Sequence, residues 1–295
     1  MTVVLARAAA RLAEAGVASP RADAELLAAH VLGVPRGALA LAGGFTPAQL
    51  RRFEELVDRR AERVPLQHLT GTAGFGHLEL AVGPGVFVPR PETELLAEWA
   101  VATLRGESTV GRSPVVVDLC SGTGALALEI AHAVPGARVY AVERSPAALE
   151  WLRHNARARA DAGDTPVTVV AGDATDPAVL ATVDGAVDLV VCNPPYVPEG
   201  APVPAEVAGD PATAVFAGPD GLAVIRPVVA RAAALLRPGG WFGVEHDDSH
   251  GAAVPALLRA DGRFERIADR TDLAGRPRFC TARRTGGRLA SREGV

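Results

Sequence analysis

The 295-residue chain contains no lysine, so all 30 of its basic residues are arginines. That removes every mechanism built on a lysine amine: Schiff bases, pyridoxal phosphate attachment, the lysine of a P-loop and the lysine of Ser-Lys hydrolases. Cysteine is scarce too. Cys120, Cys192 and Cys280 are odd in number and far apart, which is neither a disulfide framework nor a zinc spacing and fits a reducing compartment. No apolar run approaches the roughly 18–20 residues of a membrane span. The Arg/Ala-rich start at residues 2–11 is followed by no signal-type apolar segment, and reads as an amphipathic helix. A soluble cytoplasmic protein is expected. Aromatics make up 4% and methionine occurs once, which with the Ala/Arg/Gly/Pro tracts matches a GC-biased coding sequence.

What remains is ordinary for a globular chain, with 48% hydrophobic and 22% charged residues. The length suggests about two domains at roughly 150 residues each. Charge is uneven. Residues 1–89 carry 9 Arg against 8 acids, residues 90–282 carry 17 against 25, and residues 283–295 carry 4 against 1. A balance of −8 over the central segment is a poor match for a polyphosphate, so no direct nucleic-acid partner is expected.

Residues 1–65 read as a small helical domain. Ser19-Pro20 is an N-cap followed by proline at the first helical position, and Gly33 ends that helix. Thr46-Pro47-Ala48-Gln49 is a capping box, with Leu50, Phe53, Val57 and Val64 behind it on one face. Arg51-Arg52 and Arg59-Arg60, interleaved with acids, suggest a solvated, ion-paired face. Residues 66–89 form a connector in which Leu78, Leu80 and Val82 alternate as in a hairpin. From 90 to 282, short apolar strands near 115–119, 138–142, 167–170, 187–191 and 241–245 alternate with helices near 125–133, 145–159, 222–236 and 252–260. Two further strands near 263–268 and 277–282 complete the domain. Such alternation means a parallel sheet covered on both faces. Residues 283–295 read as a disordered tail.

Two loops carry chemistry. Cys120-Ser121-Gly122-Thr123-Gly124 leaves the first of these strands and opens a helix, and Glu143 lies 21 residues after Gly122 at the end of the second strand. Glycines that admit a ligand to the backbone, followed by an acid about 20 residues on, are the pattern of a nucleoside cofactor site. Asn193-Pro194-Pro195-Tyr196 follows the fourth strand, where open α/β sheets bind ligands. A planar amide or aromatic amine nitrogen is a poor nucleophile because its lone pair is delocalised. It attacks a sulfonium methyl in line once both N–H bonds are held by acceptors, and the Asn193 side-chain oxygen and the Pro194 carbonyl can be those acceptors. The consecutive prolines stiffen the turn, and Tyr196 can stack on the planar group. Cys192 reads as a small buried strand residue.

These motifs, with Phe87-Val88-Pro89-Arg90-Pro91-Glu92-Thr93-Glu94, resemble the protein N5-glutamine methyltransferases that act on peptide chain release factors, the HemK/PrmC family. The resemblance covers almost the whole chain. It extends through Pro65-Leu66-Gln67-His68-Leu69-Thr70-Gly71, Gly218-Pro219-Asp220-Gly221-Leu222, Leu236-Arg237-Pro238-Gly239-Gly240 and Asp272-Leu273-Ala274-Gly275-Arg276. The fold it implies is α/β, a Rossmann-like class I methyltransferase sheet with a small N-terminal helical domain and a β-hairpin connector. It implies S-adenosyl-L-methionine as cofactor, held by residues 120–124, by Glu143 at the ribose, by Asp173 and Ala174 beside the adenine, and by Asn193. The implied substrate is the glutamine of the Gly-Gly-Gln loop of a release factor. It would be held by Asn193, Pro194, Pro195 and Tyr196, with the N-terminal domain helping to hold the protein.

Three features depart from the family pattern. Cys120-Ser121 stands where the family often has Gly-Thr, tolerable if that backbone does not need a positive φ. Asp247, Asp248 and His250 follow Glu245-His246 where a small residue and a glutamine are usual. Residues 203–210 are Ala/Gly-rich, so the family's substrate contacts there do not carry over. His246 and His250 lack a third metal ligand and read as solvated loop residues, and no metal is expected. Glu92 and Glu94 sit at a helix start, where acids favour the helix dipole. The rival readings are methylation of a ribosomal-protein glutamine, methylation of adenine in nucleic acid, and a nicotinamide-dependent oxidoreductase, for which no acid/base residues are visible.

Overall fold

The computed structural model describes residues 1–107 and 112–286. The N-terminal unit packs α1 (Thr2–Glu14), α2 (Pro20–Leu32), α3 (Pro47–Ala61) and α4 (Leu66–Thr70) around Leu12, Leu27, Phe53 and Leu56. The capping box at α3 is formed in both directions, Gln49 N donating to Thr46 Oγ1 and Thr46 N to Gln49 Oε1. Ser19 stands at the N-cap of α2 without a side-chain capping bond, leaving Pro20 to open that helix. α4 puts Leu69 into the same core, so the helical unit runs past residue 65.

Arg60 departs from the solvated face expected of α3. It is buried, with Nε 2.7 Å from Asp23 and Nη2 3.0 Å from Glu206, far along the chain. The spacing of α3 puts Arg60 on the same side as Phe53, Leu56 and Val57, so helical phase overrides its charge and Asp23 supplies the counter-ion.

The connector is the expected hairpin, β1 (Thr72–Phe75) and β2 (Leu78–Ala81), with Leu78 and Leu80 turned into the core. Beyond it come α5 (Pro91–Gly106), β3 (Val115–Leu119), α6 (Ala125–Ala133), β4 (Arg138–Glu143), α7 (Pro146–Asp161), β5 (Thr168–Ala171) and β6 (Val187–Cys192). The chain ends with α8 (Ala212–Val215), α9 (Ile225–Leu235), β7 (Leu236–Glu245), α10 (Ala253–Asp261), β8 (Phe264–Thr271) and β9 (Pro277–Arg284). The seven strands from β3 onward form one sheet of order β5-β4-β3-β6-β7-β9-β8, parallel from β5 to β7, with β9 antiparallel to both neighbours. β4 and β5 lie on one side of β3 and β6 and β7 on the other. The ends of β3 and β6, where Leu119 pairs with Cys192, therefore flank the crevice at the switch point.

Three strands extend further than expected, β8 by running on to Thr271. β7 begins at Leu236, so Pro238-Gly239-Gly240 lies within a strand whose pairing with β6 shifts register. β9 runs to Arg284, whose Nε donates to Ala233 O at 2.9 Å, so Arg283 and Arg284 belong to the sheet rather than to a tail. The rest of the expected tail, 287–295, lies outside the described residues. Among the described residues no helix is long and apolar enough to cross a membrane.

The hairpin is fastened at both ends. Asn155 of α7 accepts from Ala81 N at 2.8 Å and donates to Ala81 O at 3.0 Å. At the turn, the exposed His77 ring meets the buried Glu129 carboxylate of α6 at 2.7 Å. Its hydrogen bond to Glu129, then that residue's charge, raises the His77 pKa. A raised histidine adds stability below its unfolded pKa and loses that contribution as pH rises through the folded value. An NMR titration will find His77 above the ordinary histidine value, with Glu129→Gln returning it; an unshifted wild-type His77 contradicts the pairing.

Candidate active site

The glycine loop leaves β3 and turns back under its own backbone bonds. Ser121 N donates to Val142 O at 2.9 Å, Gly122 N to Glu143 Oε2 at 2.9 Å and Gly124 N to Ser121 O at 2.7 Å. Gly122, at φ 56°, has open space where a Cβ would stand, whereas a Cβ on Gly124 would lie 2.6 Å from Leu152. One glycine therefore faces the cavity and the other packs the loop on α7. Cys120 takes φ 64°, contrary to the condition under which a cysteine was expected there, at a conformational cost of about 1–2 kcal/mol. Asn155 links this loop to the hairpin by donating to Thr123 O at 3.0 Å.

Glu143, at the end of β4, also accepts from Arg144 N at 2.8 Å and Ser145 N at 2.7 Å, which fixes its carboxylate beside the loop. Asp173 accepts from Thr175 N at 2.8 Å and from Thr175 Oγ1 at 2.7 Å, and pairs with Arg144 at 3.3 Å. Asp118 is a further residue of interest, one that periodicity hides as part of an apolar strand. It is fully buried, its Oδ2 accepts from Ala127 N at 3.2 Å, and its Oδ1 has no partner among the described residues. Burial pushes its carboxyl up to about 7, against the pull of Ser121 and Ala127.

Beyond β6, Asn193 donates from Nδ2 to Thr93 Oγ1 at 3.1 Å. Among the described residues no group donates to Asn193 Oδ1 or to the Pro194 carbonyl. The Tyr196 hydroxyl donates to Glu245 Oε1 at 2.8 Å. Burial, reinforced by the Glu245 charge, holds that phenol well above its ordinary pKa, so it stays protonated and orients the ring. Gly221 explains the Gly-Pro-Asp-Gly-Leu segment: it sits at φ 71°, and a Cβ there would lie 2.2 Å from Tyr196 O. Residue 197 pairs with 216, so the intervening chain is a flap. Glu206 of that flap is held by Arg60 at 3.0 Å and by Arg63 at 2.5 Å, and its Asp210 is paired with Arg90.

These parts enclose a cavity of about 640 Å³, within the roughly 300–1,000 Å³ range of small-molecule and cofactor sites. Of the residues expected at the site, Cys120, Ser121, Gly122, Thr123, Glu143, Asp173, Ala174, Asn193, Pro194, Pro195 and Tyr196 all line it, and Gly124 does not. Val203, Pro204 and Val207 of the flap join the lining.

His246 and His250 are corrected from solvated loop residues to buried ones. His246 bonds Asp269 Oδ1 through Nε2 and Asp247 O through Nδ1, both at 2.9 Å, and His250 Nε2 bonds Asp220 O at 3.0 Å. Asp269 of β8 accounts for the difference at His246 and the Asp220-Gly221 turn for that at His250, both distant in sequence. No cluster of three or more His, Cys, Asp or Glu able to hold a metal occurs among the described residues.

A glycine loop beyond β3, an acid ending β4 and Asn-Pro-Pro-Tyr beyond β6, on a largely parallel sheet, define a class I methyltransferase. Residues 4–71 match the family model described as PrmC N-terminal domain, and residues 84–208 match the Methyltransferase small domain. A release factor glutamine methyltransferase of Mycolicibacterium smegmatis is 58% identical over 94% of this chain and 95% of its own. That of Mycobacterium tuberculosis H37Rv is 48% identical over 95% and 90%. A T. thermophilus 16S rRNA N2 methyltransferase, solved with AdoMet and guanosine, covers 72% of this chain and 49% of its own at TM-score 0.50 and 25% identity. The chain belongs to the release factor glutamine methyltransferase family.

The site fits the methyl donor of such enzymes. A glycine at 122 leaves room at the backbone, and the orphaned Asp118 oxygen suits a cationic group. Between the ordinary aspartate value and about 7, folded Asp118 keeps a proton that the unfolded chain has lost. It therefore lowers stability as pH rises across that window. By the same ionisation, calorimetry should find S-adenosylmethionine binding tightening as pH rises toward about 7 and levelling off above it, with Asp118→Asn flattening the profile; a flat wild-type profile contradicts this. Gly221→Ala should cost about 3 kcal/mol in a denaturant melt, from backbone strain plus displacement of the Tyr196 carbonyl, and a neutral result would contradict the close approach.

Proposed function

We propose that the chain transfers a methyl group from S-adenosyl-L-methionine to the side-chain amide nitrogen of the glutamine in the Gly-Gly-Gln loop of peptide chain release factors. The observation that carries this reading is the pair of unclaimed acceptors, Asn193 Oδ1 and Pro194 O, at the wall of a cavity whose other side is the glycine loop. The cofactor supplies an electrophilic sulfonium methyl when bound. Residues 120–123 and Glu143 would hold its methionine and ribose portions, with Asp173 and Ala174 beside the adenine.

Asn193 and Pro194 would each accept one N–H of the substrate amide. Those bonds turn the amide plane so that the nitrogen lone pair faces the methyl, and proximity supplies much of the rate. Tyr196 and Pro195 would pack on the planar group. Attack makes the nitrogen acidic, and its proton passes to water at the cavity mouth. No general base is needed before transfer, which fits a site whose phenol is tied to Glu245.

The N-terminal helical unit, joined to the flap through Arg60 and Arg63, would help to hold the release factor. The −8 balance of residues 90–282 argues against a nucleic-acid substrate. The free cysteines support a cytoplasmic setting. Methyl-labelled S-adenosylmethionine is expected to label a release factor and not its loop Gln→Ala form. Asn193→Ala should lower kcat by about 100-fold or more with cofactor binding retained. Label that survives the glutamine substitution overturns the reading.

A further inference from the structure

Three arginines line the cavity, Arg90, Arg144 and Arg278. Arg144 pairs with Asp173 on the cofactor side, and Arg90 with Asp210 of the flap. Arg278 is the least exposed, its side chain 15% accessible against 24% for Arg90 and 49% for Arg144. It stands near the start of β9. That strand is antiparallel to β7, with Phe279 opposite Glu245, so its start lies at the carboxyl end of β7. In the sheet this is two strands beyond β6, on the side away from β4 and β5. The glycine loop, Glu143 and Asp173 therefore lie to one side of Asn193 and Arg278 to the other. The guanidinium is fixed from the β8–β9 turn. Asp272 accepts from Arg278 Nη2 at 3.2 Å, and its carboxylate is itself held by Ala274 N at 2.9 Å and Arg276 N at 3.0 Å. Asp272 stays out of the cavity lining, so the side chain reaches from the turn to the cavity wall. No other side chain among the described residues bonds the guanidinium: Nη1 has no partner, and Nε is buried without an acceptor.

We propose that Arg278 is a substrate-binding residue that donates to a glycine carbonyl of the Gly-Gly-Gln loop, and so reads the residues in front of the reacting glutamine. The inference rests on the release factor reading above. Two glycines offer an enzyme no side chain, so beyond the room they leave, only their backbone can be held. Their carbonyls need donors. Asn193 Oδ1 and Pro194 O are acceptors and cannot supply them. A guanidinium is a planar fork of donors that stays charged at any working pH, and its bond to a carbonyl is charge-assisted. With one edge of the fork fixed on Asp272, the rest is left for the substrate. A buried donor without an acceptor is costly, and a bound glycine carbonyl would offset that cost.

Arg278→Met keeps the apolar stem and removes the donors. It is expected to raise KM for the release factor about 10- to 100-fold, the range of a hydrogen bond to a charged group, with KM for S-adenosylmethionine unchanged. Asp272→Asn keeps an oxygen for the turn but loosens the guanidinium. It should move the same constant in the same direction by less, and serves if the methionine variant does not fold. A cycle on the substrate side gives a readout that a merely structural arginine would not move. Gly-Gly-Gln peptides with one glycine carbonyl at a time replaced by an alkene isostere are titrated into the enzyme bound to S-adenosylhomocysteine. One of the two replacements should weaken binding to the wild type by about tenfold and leave binding to Arg278→Met unaltered. An unchanged release-factor KM in folded Arg278→Met overturns the proposal. So does an equal rise in both KM values, or an equal loss in both enzymes on carbonyl replacement. A wild type that leaves the release factor unlabelled brings down the substrate reading and this inference together. A labelled release factor with an indifferent Arg278→Met leaves that reading standing and removes only the role of Arg278.

Discussion

An amide nitrogen attacks a carbon centre only when its hydrogens are held so that its lone pair is aimed, and the catalytic half of this protein is arranged around that constraint. Two acceptors are required, close together, rigid and not already bonded within the chain. A backbone carbonyl between two prolines meets the requirement because neither ring has an N–H to compete. The Asn193 oxygen meets it because the amide nitrogen is engaged by Thr93 at 3.1 Å. Everything else at the site either brings the donor to those acceptors or keeps them still.

The topology does the first of these. β3 and β6 are neighbours in the sheet though their first members, Val115 and Val187, are 72 positions apart, and their carboxyl ends open into one crevice. The glycine loop rises from one and Asn-Pro-Pro-Tyr from the other. Asn155 fastens the loop and the hairpin together by three hydrogen bonds at 2.8–3.0 Å, which connects the cofactor side of the cavity to the connector. The flap is held by Arg60 and Arg63 through Glu206, which connects the substrate side to the N-terminal unit. The two halves of the cavity are thus braced by different parts of the chain.

Much of this was legible in the sequence because it is local. Strand and helix order, the capping box at Thr46 and the two chemical loops are written in windows of four to fifteen residues. What stayed hidden depends on contacts across long separations. Thr93 and Asn193 are 100 residues apart, Tyr196 and Glu245 are 49 apart, and no periodicity marks either pair. Asp118 was masked by the apolar strand around it. Arg60 and His246 look solvated from sequence alone because their partners Asp23 and Asp269 lie on other elements. The positive φ of Cys120 is concealed for a related reason, since only the loop's return bond to Val142 forces that turn.

The most direct test is a crystal structure of the protein with S-adenosylhomocysteine and a Gly-Gly-Gln peptide. The account predicts the glutamine nitrogen within about 3 Å of both Asn193 Oδ1 and Pro194 O, with its free face toward the cofactor sulfur. A glutamine amide held by other groups, or one presenting its oxygen to the sulfur, would contradict it.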